Sequence, residues 1–358
     1  MKILQVCPHF YGGGIGGVVE YVKNISERLA RHHDVTVFAT DPRKNFPKFE
    51  VINGVKVERF RRLAPRKAYF FSPDMIIRLK DSEFDVVHGH CYQSFPLHFC
   101  ELAKRNKFVI STHFSGATIS AFRNCLLKLL KPFGRRTLKK ADIIVATSNY
   151  EKEMLCKQFR LNSDKVVVIP CGVNLNELSN FKKKRQNYLS ILYVGRLDWN
   201  KGVHYLIDVL PRLPKDAVLE IVGRGPIENF LKKRAKSLGI YDRVRFHHTL
   251  SRKDILQMYV NADLFILLSQ YESYGMVVAE ALAAGVPCIV ANSSALSEWI
   301  DNETVFGVNF PISLCGLAEL INQVLNKEVD MKLFQKWVGT KILDWGDVVK
   351  RLEYIYKS

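Results

Sequence analysis

The sequence predicts an α/β protein built from two doubly wound parallel-sheet domains that face each other across a cleft. Three observations carry this. The chain has 358 residues, beyond the usual reach of a single core. Short, near-continuously apolar runs alternate with amphipathic stretches, the pattern of a parallel sheet covered on both faces. That alternation occurs twice, on either side of a polar, charged segment, NLNELSNFKKKRQNYLS.

In the first half, KILQVC reads as a strand and GVVEYVKNISERLARH as a helix, with Val19, Val22, Ile25 and Leu29 along one face. The runs HDVTVFAT, DVVHGH, KFVISTH and ADIIVATS follow, each ending in small or polar residues. The second half repeats the scheme with SILYVGR, AVLEIVGRG, RVRFHH, ADLFILLS and VPCIVA. The expected organisation is a first domain at 1–172, a linker at 173–189 and a second domain at 190–335, followed by a tail at 336–358.

A composition of 47% hydrophobic and 25% charged residues is that of an ordinary globular chain. There is no apolar run of about 18 residues, so no transmembrane helix is expected. MKILQVCPHF lacks the features of a signal peptide. The eight cysteines are scattered without a C-x-x-C pair and read as reduced core residues of a cytoplasmic protein. The net charge of +18 is uneven: residues 1–172 hold 29 Lys and Arg against 15 Asp and Glu, residues 173–358 only 24 against 20. A basic first half suits an anionic membrane surface, a phosphorylated substrate or nucleic acid, and equally a surface kept basic for solubility. Nucleic acid is not expected, because aromatic residues are not regularly interleaved with the basic ones.

Ligands of open parallel sheets bind where strands end and helices begin. YGGGIGGVVE places Gly12, Gly14 and Gly17 after a strand and before a helix. Such glycines admit a phosphate to backbone N–H groups, although the same letters suit a flexible loop. As a nicotinamide fingerprint, with Asp41 as the ribose acid, the motif stands too far from its strand, separated by CPHFY. VGRLDWNKG sets Arg196 and Lys201 just after a strand. A planar fork and a point charge at that position suit a diphosphate, while an ordinary solvated loop explains the same charges.

LLSQYESYGMVVAEALAAGVPCIVA holds Glu272 on a loop and Glu280 inside an apolar helix, whose first turn is capped by Ser273 or a neighbour. An ionised carboxylate in that helix costs several kcal/mol unless it is paired. One reading has both carboxylates framing a ligand's hydroxyls, with the amides of Tyr274, Gly275 and Met276 alongside. The other pairs Glu280 with an internal Arg or Lys. His88, His90 and Cys91 in HGHC lack a second ligand cluster, and backbone partners are expected for both histidines; no metal is expected. RNCLLKLLKPFGRRTLKKAD suits a helix lying on an anionic membrane, or a core helix with snorkelling lysines.

Taken in order, GGGIGG, THFSG, PCGVN, VGRLDWNKG, GRGP and ESYGMVVAEALAAGVPCIV resemble the retaining GT-B glycosyltransferases of family 4 over nearly the whole chain. The resemblance implies transfer of a sugar from a nucleoside-diphosphate sugar to a hydroxyl of a glycan or lipid-linked acceptor, with no further cofactor. It implies an acceptor-binding first domain and a donor-binding second one. Arg196 and Lys201 would hold the diphosphate and Glu280 the ribose. Glu272 and the backbone of Tyr274, Gly275 and Met276 would hold the transferred sugar. Gly13, Gly14 and Gly16 would lie against the phosphates, and His113 near the reacting carbon. Gly223 and Gly225 would shape the base pocket, where Arg224 stands in place of the commoner acid. DWGDVVKRLEYIY resembles the last helix of that family, which crosses back to the first domain. Peripheral attachment to the inner face of the cell membrane through residues 123–141 is the matching expectation. The rivals are a nicotinamide-dependent oxidoreductase and a non-catalytic nucleotide-sugar or nucleic-acid binder.

Overall fold

A computed structural model describes residues 1–11, 16–41, 46–63, 71–116, 121–248, 250–327 and 330–358. The chain forms two compact units, one of residues 1–172 and 345–358, the other of residues 173–344. The segment 173–189 is tied to the second unit: Lys183 pairs with Asp263 at 2.7 Å, and the Lys184 N–H donates to Asn261 Oδ1 at 3.0 Å.

The first unit holds an eight-stranded sheet of β1 (Lys2–Cys7), β2 (Asp34–Asp41), β3 (Phe49–Ile52), β4 (Val55–Arg61), β5 (Glu83–His90), β6 (Lys104–Ser111), β7 (Ile143–Ala146) and β8 (Val166–Val168). Its order is β3-β4-β2-β1-β5-β6-β7-β8. All neighbours are parallel except β3 and β4, an antiparallel hairpin. Asn53 and Gly54 turn that hairpin with φ of 48° and 81°, the left-handed pair that a two-residue loop requires. The two-residue strands β9 (Gly172–Val173) and β16 (Leu343–Asp344) pair in a ribbon.

The second unit holds β10 (Leu189–Val194), β11 (Ala217–Val222), β12 (Val244–His247), β13 (Leu264–Leu267), β14 (Cys288–Ala291) and β15 (Val305–Val308). They form an all-parallel sheet in the order β12-β11-β10-β13-β14-β15. β11, β13 and β14 are buried along their whole length, the consequence of helices on both faces. The predicted doubly wound parallel sheets are therefore present in both units. Each has a switch point where successive strands part to opposite sides: between β1 and β5 in the first, between β10 and β13 in the second.

The last helix, Trp345–Lys357, buries Trp345, Val348, Val349, Leu352, Ile355 and Tyr356 in the first unit. Trp345 lies so close over Gly172 that a Cβ there would come within 2.5 Å of its ring. No helix among the described residues is long and apolar enough to cross a membrane.

Candidate functional site

Four adjacent parallel strands, β12, β11, β10 and β13, deliver their following loops to one edge of the second unit's sheet. The loop after β10 carries Arg196 and Lys201. Its backbone is fixed at the start by the Tyr193 hydroxyl, which donates to the Arg196 carbonyl at 2.8 Å. It is fixed at the end by Gly202, with φ of 71° and a Cβ position only 2.3 Å from the Leu268 carbonyl oxygen. Only glycine fits there. The Arg196 side chain is 62% exposed, with Asp198 at 3.5 Å. Lys201 Nζ lies 2.5 Å from Glu272 Oε1 on the loop after β13. Both partners are about one-fifth exposed, at 22% and 20%.

Gly223 and Gly225, after β11, press on this same loop. A Cβ at either would stand 1.9 Å from a carbonyl oxygen, that of Gly195 or of Leu197. The Leu197 N–H donates to the Arg224 carbonyl at 3.0 Å and the Ile227 N–H returns to Leu197 at 3.3 Å. These glycines serve first to weld the two loops together.

The helix Met276–Ala283 starts at Gly275, whose φ of 99° makes it the N-cap, so the cap falls on this neighbour and not on Ser273. A Cβ at Gly275 would come 2.9 Å from Leu296 Cδ2, which would have to shift. Tyr274 is buried, its hydroxyl donating to the Lys341 carbonyl at 2.8 Å and its own carbonyl accepting from Trp299 Nε1 at 2.8 Å. The Glu272 N–H donates to Ser294 Oγ at 3.0 Å. Met276 is half-buried at the first turn.

Glu280 is 8% exposed and its carboxylate meets Arg252 at 2.7 Å. The carboxylate is thus paired with an arginine, as one reading of the sequence expected, but Arg252 is 41% exposed and not internal. Arg252 also lies 3.6 Å from Glu177. It begins a helix, Arg252–Asn261, that Ser251 and Asp254 close with a reciprocal capping box. Sequence reasoning missed Arg252, although SRKD is the visible signature of that box.

In the first unit His113 follows β6 with φ of 47°. The backbone on both sides of it is held by one buried carboxylate, Glu151. Thr112 Oγ1 and the Phe114 N–H donate to its Oε1 at 2.5 and 2.6 Å, and the Thr147 N–H and Oγ1 donate to Oε2 at 2.7 Å each. Burial pushes the pKa of Glu151 up, while these hydrogen bonds pull it back only in part. The His113 ring meets Tyr21 edge-on at 4.8 Å, and burial lowers its pKa to about 4. His88 and His90 find side-chain rather than backbone partners, in Tyr356, Ser111 and Gln5. Among the described residues no group of three or more His, Cys, Asp or Glu is placed to hold a metal. Gly16 caps the helix Gly17–Leu29 with open space beside its Cα; Gly13 and Gly14, like Gly12, lie outside the described residues. Asp41 closes β2, but its side chain is likewise outside them.

Residues 15–177 match the family described as Glycosyltransferase Family 4, and residues 176–338 that described as Glycosyl transferases group 1. An uncharacterised glycosyltransferase of Methanocaldococcus jannaschii is 27% identical, over 100% of this chain and 98% of its own. A phosphatidyl-myo-inositol mannosyltransferase of Mycobacterium leprae is 25% identical, over 100% and 97%. Among solved structures, Anabaena HepE in complex with UDP and glucose superposes with a TM-score of 0.78 at 18% identity, over 100% of this chain and 99% of that one.

The Arg252–Glu280 pair gives a stability prediction. Arg252→Ala strands a buried carboxylate and lowers unfolding free energy by about 1–3 kcal/mol, reduced from a fully buried pair because Arg252 is part-exposed. Adding Glu280→Gln removes the stranded charge and recovers most of the loss. Urea denaturation of the two single variants and the double variant checks this; strictly additive losses contradict it.

Proposed function

The chain belongs to the family 4 glycosyltransferases of the GT-B fold, which draw on nucleoside-diphosphate sugars, and we propose that it transfers its sugar with retention to a lipid-linked or membrane-surface glycan acceptor. The observation that carries the donor half is the pairing of Lys201 with Glu272 across the switch point of the second unit, beside the exposed guanidinium of Arg196. A diphosphate leaving group gains negative charge as the glycosidic bond lengthens. In this reading Arg196 and Lys201 stabilise it, so that no metal ion is needed. Glu272, with the backbone of Tyr274, Gly275 and Met276, holds the transferred sugar, and Lys201 keeps its carboxylate in place. Glu280 takes the ribose hydroxyls while Arg252 satisfies its second oxygen. Gly223 and Gly225 set the wall against which the base lies. In the first unit, Gly13, Gly14 and Gly16 serve the phosphates and His113 serves the sugar. The acceptor attacks from the face of the leaving group and a phosphate oxygen takes its proton, so Glu272 positions and forms no covalent bond.

Arg196→Ala or Lys201→Ala lowers turnover of the nucleotide sugar about 100-fold or more. Steady-state assays check this, and near-normal rates in both variants remove the charge role assigned to the pair.

The acceptor half rests on the helix Ala121–Lys140 and on the likeness to a mannosyltransferase named for a phosphoinositide. Leu129 is 72% exposed, with Phe133 one turn on, and Lys128, Lys131, Arg136 and Lys139 are exposed around them. Apolar side chains ringed by cations suit the inner face of a cell membrane rich in anionic lipid. Vesicles containing phosphatidylglycerol are expected to float the protein at low salt, and vesicles of phosphatidylcholine alone to leave it behind. Equal recovery with both removes the membrane from the reading.

A further inference from the structure

Two buried histidines, His88 and His90, lie with the half-buried His113 along one hydrogen-bonded chain, of which only His113 has been given a role above. It begins on the last helix, where the Tyr356 hydroxyl sits 2.7 Å from His88 Nδ1 and 3.3 Å from Gln5 Nε2. Gln5 lies in the middle of β1, and its Oε1 is 2.6 Å from His90 Nε2. His90 Nδ1 in turn faces His113 Nε2 at 3.5 Å, the rings close to parallel at 19°. His88 Nε2 closes the far end on Ser111 Oγ at 2.8 Å.

Donor and acceptor chemistry gives this chain a direction. An amide nitrogen only donates and an amide oxygen only accepts. Gln5 Nε2 therefore donates to the Tyr356 oxygen, which also lies against His88 Nδ1. Gln5 Oε1 must receive a hydrogen from His90 Nε2. A neutral imidazole carries one hydrogen, so His90 Nδ1 is an acceptor and His113 must donate to it from Nε2. That leaves Nδ1 as the acceptor atom of the His113 ring. All three rings stay neutral, because burial lowers their pKa values, His88 to about 3 and His113 to about 4.

We propose that Tyr356 is a positioning residue for the transfer reaction, fixing through Gln5 and His90 which nitrogen of His113 carries the hydrogen. The proposal rests on the reading that His113 serves the transferred sugar. Two arms then prepare the same residue: Glu151 holds its backbone through Thr112 and Phe114, and Tyr356 sets its tautomer. Without the Tyr356 oxygen, the Gln5 amide loses the acceptor for its N–H and can turn over. His90 would then carry its hydrogen on Nδ1, and His113 would have to present a lone pair at Nε2 and a hydrogen at Nδ1. A ring aimed to accept a sugar hydroxyl would become a donor. The last helix would thus contribute to the chemistry of the first unit as well as to its stability.

The test uses the full chain with 15N-labelled histidine, as the parent, as Tyr356→Phe and as Leu352→Ala, a buried position on the same helix. Long-range 1H–15N spectra read the His113 tautomer, and steady-state kinetics read kcat and the donor KM. The parent is expected to show His113 protonated at Nε2. Tyr356→Phe is expected to mix the tautomers and lower kcat about tenfold, with donor KM changed less than about twofold. Leu352→Ala lowers Tm but keeps the Nε2 tautomer. The proposal is overturned if Tyr356→Phe leaves His113 protonated at Nε2, or if Leu352→Ala disturbs the tautomer equally. Mixed tautomers with unchanged kcat would instead uphold the link from Tyr356 and overturn the place of His113 in the reaction.

Discussion

Everything proposed for the second unit depends on backbone touching backbone at the carboxyl edge of its sheet. At 202, 223 and 225 a side chain as small as a methyl group would collide with a neighbouring carbonyl oxygen, at 2.3, 1.9 and 1.9 Å. Such contacts bring the loops after β10, β11 and β13 close enough for Lys201 to reach Glu272. Parallel register makes the arrangement possible, because adjacent parallel strands end together and release their loops on the same side. The charges are therefore placed before any ligand arrives, which is the condition under which fixed dipoles and ions stabilise a developing charge most effectively.

The same economy governs the buried carboxylates. Glu280 and Glu151 both sit where an unpaired charge would cost several kcal/mol. Each is answered differently. Glu280 meets one cation, Arg252, on a neighbouring helix, an arrangement that can leave an oxygen for hydroxyl groups. Glu151 is surrounded by four neutral donors from two loops and shapes backbone instead. A carboxylate held by an arginine suits a binding role, and one saturated by amides and hydroxyls suits a structural one.

Much of this was legible in the sequence, and the parts that were not share a cause. Apolar strands ending in glycine or small residues announce a parallel sheet and the edge at which its loops gather, and the apolar run around Glu280 marks the helix that holds it. The hairpin of β3 and β4 was readable too, since Asn53-Gly54 between alternating residues is its turn signal, but the α/β rhythm drew attention away from it. β8 and β15 are short and end their sheets, so their sequences carry little pattern. Arg252 could not be assigned to Glu280 because the pairing depends on the order of strands, which local sequence does not encode. The histidine chain is the extreme case: Gln5 and Tyr356 meet only because the last helix rejoins the unit that the first strand began. HGHC could suggest a metal motif because two of its partners, Gln5 and Tyr356, lie at the two ends of the chain.

The central claim is that the second unit grips the pyrophosphate of a nucleotide sugar with cations and its ribose with Glu280. A thermal-shift panel of UDP, GDP, ADP and CDP, run on the parent chain and on Lys201→Ala and Glu280→Gln, tests it most directly. The account predicts that one nucleoside diphosphate raises the Tm of the parent and that each substitution removes most of that rise. A panel in which no diphosphate shifts the parent, or in which both variants respond as the parent does, would contradict it.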